Sequence, residues 1–163
     1  MNQLTARPIL TDAQFNDVRA TILGNNPGME PDLAGRILEQ ALAFLATCGQ
    51  HRDARIAPSR VVDEGWHALI LHTALYADVC ARLGGFVHHF PERPDPLRQT
   101  REIIDRTVSF IEATGYTVDA ELWRIPTEEL VSVAADCGHT PPGGCGPIGP
   151  TPQPGPMPKN PGQ

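Results

Sequence analysis

Between Pro31 and Gly49 the apolar residues Leu33, Ile37, Ala41, Phe44 and Leu45 return at intervals near three and four. That spacing keeps them on one face of a helix and would scatter them across both faces of a strand. Pro31 suits the first helical turn, where its missing N–H costs nothing. The same period recurs in Phe15, Val18 and Ile22, behind a cap at Thr11 or Asp12 and ahead of the breaker run Gly24-Asn25-Asn26-Pro27-Gly28. It recurs again in Ile104, Val108 and Ile111, within a helix opened by Asp95-Pro96 and closed by Gly115. Ser59 is positioned to cap a long third helix that runs to Leu83 and stops at Gly84-Gly85. A shorter helix is expected from about Thr127 to Ala135, with Trp123 packing the connection before it. No strand-like alternation of useful length occurs. The pattern predicts an all-α bundle of four to five helices around a long central helix.

The 163 residues suit one domain, which composition bounds at residues 1–137. From Gly138 onward, nine of the seventeen prolines and seven of the fifteen glycines crowd into 26 residues. Such a segment has too little apolar surface to order itself, so residues 138–163 are expected to be a disordered tail. Its Pro-rich run favours polyproline II, either as a ligand for the aromatic groove of a protein partner or as a solubilising extension. The formal charge is −6, and no Lys/Arg cluster stands out, which argues against a nucleic-acid partner. No apolar run reaches the roughly 18 residues of a membrane span. The first fifteen residues have no signal-peptide pattern, and a soluble, cytoplasmic protein is expected. In a reducing compartment Cys48 and Cys80 read as small buried hydrophobes.

Four of the six histidines lie between residues 67 and 89, two of them inside the third helix at Val62-Asp-Glu-Gly-Trp-His-Ala-Leu-Ile-Leu-His-Thr-Ala-Leu-Tyr76. Val62, Trp66, Leu69, Ile70, Thr73, Ala77 and Cys80 share one arc, and His72 falls among Val61, Tyr76, Val79 and Leu83, so most of the circumference is apolar. Buried imidazoles need partners. Asp63 lies one turn before His67, and Tyr76 one turn after His72. His67 and His72 are five apart, about 140° around the axis, and do not form a shared metal motif. Asp63 and His67, four apart, are a half-site for zinc or iron that His88 and His89 could complete from the Pro-rich loop after Gly85. The same pair is equally a buried polar staple, with the carboxylate fixing the imidazole tautomer. Cys137, His139 and Cys145 form a second, weaker ligand cluster whose spacing matches no common zinc template.

Geometry sets a condition on the first cluster. Leu83 is about 24 Å of helix axis from His67, whereas five extended residues reach at most about 17 Å. Convergence therefore requires a kink near Gly65, a shift of the helix end, or a loop that meets Cys80 and Tyr76 instead.

The pattern Pro-Ser before the helix, Val-Asp-x-x-Trp-His, His-Thr-x-x-Tyr, a cysteine four residues on, and Gly-x-Phe-x-His-His-x-Pro resembles the glycine-rich domain-containing protein-like family, a helical domain of bacteria and plants. The resemblance is sharp over residues 57–91 and softer over 32–48. It implies that Asp63, Trp66, His67, His72, Tyr76, Cys80, His88 and His89 form one set, and it carries no biochemical activity. Plant members append further domains and are linked to stress responses and RNA, a role that this acidic chain does not inherit. Three functions follow as expectations. The leading one is an accessory or binding module with a His/Asp-lined, metal-binding pocket. The second is an enzyme using His67 as general base oriented by Asp63, or a catalytic metal held there. The third is an adaptor acting through its polyproline tail.

Overall fold

A computed structural model describes residues 4–89 and 101–124. A short 3-10 turn at Arg7–Ile9 leads into α1 (Asp12–Asn25), α2 (Pro31–Gln50), α3 (Arg60–Leu71), α4 (Thr73–Arg82) and α5 (Arg101–Ala113). Among the described residues the only extended pairing is one isolated parallel bridge between Leu4 and Tyr116, so the fold class is all-α as expected. The opening of α5 at Asp95-Pro96, the helix at Thr127–Ala135 and the 138–163 tail lie outside the described residues.

Local chemistry accounts for the helix ends. Thr11 closes a capping box with Gln14: its hydroxyl accepts from Gln14 N while the Gln14 side chain accepts from Thr11 N. Pro31 occupies the first turn of α2. Ser59 accepts from Val62 N at 3.2 Å to start α3, and donates to Leu122 O at 2.6 Å, which ties that start to the segment after α5. After α4 the chain turns through Gly84 and Gly85, whose φ values of 110° and 132° lie where a side chain would be strained.

The central element is α2. Twelve of its twenty residues are buried, including Ile37, Leu38, Phe44 and Leu45. It crosses α3 closely at Gly65, where a Cβ would stand only 3.0 Å from both the Ala41 methyl and the Ile37 carbonyl oxygen. Trp66, 1% exposed, packs on Phe44 with ring centroids 5.3 Å apart, and Trp123 covers the other end of that ring at 6.5 Å. Gln40 supplies the polar tie on this face: its carbonyl accepts from Trp123 Nε1 at 2.8 Å and its amide donates to Thr117 O at 3.1 Å. The N-terminal segment clasps the chain that follows α5: Leu4 N donates to Gly115 O at 2.8 Å and Thr117 N to Leu4 O at 2.9 Å.

The long third helix is broken in two. His72 leaves helical geometry at φ −86° and ψ 65°, ending α3 and opening α4. Neither proline nor glycine marks this point. The His72 ring bonds Thr21 Oγ1 on α1 at 2.9 Å rather than Tyr76, and that tertiary bond accompanies the departure from the helix. The long central helix is thus α2, and of the three routes to convergence a break in the third helix is present, at His72 rather than near Gly65.

Candidate metal centre

On α3, Asp63 points into the protein beside Val61, Val62 and Trp66, with its side chain 4% exposed. A carboxylate removed from water needs charged or hydrogen-bonded partners. It has one on each oxygen. His67 Nε2, one turn on, is 3.3 Å from Oδ2, and His89 Nε2 is 3.3 Å from Oδ1. The two imidazoles are tilted against each other with centroids 4.5 Å apart. Asp63, His67 and His89 each offer one ligand atom, all within 4.8 Å of one another. The imidazoles are 22% and 10% exposed, so the cluster lies at the edge of the core rather than at its centre.

The break at His72 explains how the loop reaches α3. In one straight helix, Trp66 and Tyr76 would be about 15 Å apart along the axis. Here Trp66 Nε1 donates to Tyr76 Oη at 2.9 Å, and Tyr76 Oη donates to the backbone oxygen of Val87. Val87 is buried on that bond, and two residues later His89 meets the edge of the Trp66 ring at 4.6 Å. Arg52 holds the preceding turn: its guanidinium donates to Gly84 O at 3.0 Å and to Gly85 O and Phe86 O at 3.4 Å.

The remaining candidates are placed elsewhere. The His88 ring lies tilted against Phe86, centroids 4.7 Å apart, and is not among the three donors that converge at Asp63. His72 belongs to the α1 contact. Tyr76 and Cys80 are buried together behind Trp66; burial, and next the neighbouring Cys80, pushes the Tyr76 phenol well above its ordinary value. That hydroxyl keeps its proton and can donate it. Cys137, His139 and Cys145 lie outside the described residues. Three participants escaped sequence reasoning: Thr21, Arg52 and Glu64. Glu64 is 8% exposed, and burial raises its pKa above 4.5, while a side-chain hydrogen bond from Asn26 pulls it down. Its position next to Asp63 in a mostly apolar helix was a readable sign of burial.

Chemically, a carboxylate and two imidazoles form a mixed oxygen and nitrogen set that suits zinc and iron(II). Because Asp63 is shared between both histidines, it is not the dedicated orienting partner of a single general base, which weakens the reading of His67 as a lone proton acceptor.

No described helix is long and apolar enough to cross a membrane. No curated protein and no solved structure matches the chain. The model of one protein family, UCP032817-like, matches residues 7–108, a span that takes in α1 to α4, most of α5 and all of Asp63, His67 and His89, and the chain belongs to that family.

Proposed function

We propose that this protein binds a divalent transition-metal ion, zinc or iron(II), through Asp63, His67 and His89, and acts as a small cytosolic metal-binding module. The observation that carries this reading is the convergence of one carboxylate and two imidazoles at the edge of the core, with one donor atom from each lying within 4.8 Å of the others. Charge-assisted hydrogen bonds between imidazolium and carboxylate draw in to about 2.7–2.9 Å. Ligand atoms at about 2.0–2.1 Å from a tetrahedral ion stand about 3.3–3.4 Å from one another. Each imidazole stands farther from its own carboxylate oxygen than a charge-assisted hydrogen bond draws, and the three donors, within 4.8 Å of one another, need only a small closing-in to reach ligand spacing. A bound ion would supply Lewis acidity at the edge of the core. The chain's own contribution is to hold the three donors together.

The test is metal titration of chelator-stripped protein with zinc and, anaerobically, with iron(II). Stoichiometric binding is expected in the wild type, with affinity lower by at least about 100-fold in Asp63→Ala and His89→Ala, each of which removes a donor. Wild-type protein that takes up no ion, or variants that bind as well as it does, would leave the cluster a polar staple.

A further inference from the structure

Resting on that metal reading, we infer that Tyr76 is a positioning residue for His89, acting through a one-way hydrogen-bond relay from Trp66 through the phenol to the backbone of Val87. The direction of the relay follows from the groups themselves. Indole Nε1–H can only donate, and a carbonyl oxygen can only accept, so the single phenolic proton must point at Val87. None of these groups has a second tautomer or rotamer that reverses the chain.

The relay is built for precision. Trp66 is 1% exposed, Tyr76 3% and Val87 1%, so no water competes for its bonds. Its two ends bracket the third donor: Trp66 touches the His89 ring edge-on at 4.6 Å, and Val87 is two residues from His89 in the chain. Asp63 and His67 are already fixed by α3, one turn apart. His89 has no helix to fix it, since residues 86–89 form neither helix nor strand. The relay supplies the order that the secondary structure lacks. Phe86, edge-on to the Tyr76 ring at 5.2 Å, braces the phenol from the outer side.

Removing the hydroxyl with Tyr76→Phe keeps the ring packing and strands an indole N–H and a carbonyl oxygen. The expected result is zinc affinity lower by about 10- to 100-fold, as when the outer partners of metal ligands are deleted. The cobalt(II) visible spectrum should also broaden as His89 loosens. A merely structural role would lower the melting temperature and leave affinity alone. Thr107→Val supplies that reference, because it removes a buried hydroxyl that accepts from Ala57 N at 3.1 Å on the α5 side. It should destabilise the fold and bind zinc like the wild type. Should Tyr76→Phe not fold, Phe86→Ala carries the test, with at least a threefold loss required. Wild-type binding together with unchanged affinity in Tyr76→Phe, or in Phe86→Ala where that variant carries the test, overturns the relay and leaves the metal reading standing. Wild-type protein that binds no ion overturns both.

Discussion

Helix α2 and the α3–α4 pair share the core but are built on different principles. The buried residues of α2 are almost all apolar, and its two buried polar side chains, Gln40 and Thr47, are satisfied by bonds to the backbone or to neighbouring side chains. In α3, Asp63 and Glu64 lie among Val61, Val62 and Trp66, and the segment ends at a non-helical histidine. Apolar burial is additive and tolerant; buried polar groups are directional and fail when one partner is lost. The first region holds the fold together, and the second determines where three donor side chains meet.

The sharpest way to break that comparison is a pair of core truncations. Leu42→Ala on α2 should cost about 2–5 kcal/mol and Trp66→Ala on α3 about 3–5 kcal/mol in denaturant unfolding. Only Trp66→Ala should also lose metal affinity, measured below the unfolding midpoint. Equal loss in both would mean that the site merely follows global stability.

Gly65→Ala comes next. The added methyl meets the Ala41 methyl and the Ile37 carbonyl oxygen at 3.0 Å, so the α2–α3 crossing must open. A loss of about 1–3 kcal/mol is expected from overpacking. A neutral substitution would show that the neighbours give by the few tenths of an ångström needed and that the gain in helix propensity offsets the crowding.

Much of α2 was legible because its period of 3.6 residues depends on neighbours along the chain alone. The Asp63–His67 pair was legible for the same reason. The break at His72 was not, because the bond that accompanies it comes from Thr21, fifty-one residues away, and no breaker residue stands at the site. The choice of His89 over His88 had a readable signal that went unused. Side chains alternate along an extended segment. Phe86 and His88 contact each other on one side, so Val87 and His89 share the other. A valine is the more natural core residue, which points His89 inward with it.

The His72 contact makes a smaller prediction. Thr21→Val removes the bond to His72 at the junction of α1, α3 and α4, together with the weaker 3.3 Å bond that the same hydroxyl donates to Asp17 O, and should cost about 0.5–1.5 kcal/mol in thermal or urea unfolding. If the junction sets the path of α4, zinc affinity should fall with it; unchanged affinity would assign that path to the Trp66–Tyr76 bond alone.

The smallest effect is expected at Glu64, read as melting temperature against pH on metal-stripped protein. Burial raises its folded pKa above the ordinary 4.5. The folded state therefore holds this proton more tightly than the unfolded chain, and stability falls as pH rises from about 4.5 through the folded value. Glu64→Gln removes that penalty. The variant should be more stable than the wild type at neutral pH and converge with it below 4.5. A constant offset across the range would mean that Glu64 ionises in the fold without cost.

The clasp between Leu4 and Thr117 closes a circuit of chain 113 residues long, whereas Asp63 and His89 close one of 26. Loop-closure entropy grows with the logarithm of length, so the larger circuit costs about 1.3 kcal/mol more to shut, all else equal. The smaller ring should therefore form early during folding, with the clasp arriving last. In hydrogen exchange at equilibrium the order reverses: the Leu4 and Thr117 amides should open to solvent while α2, α3 and the turn beside them remain protected.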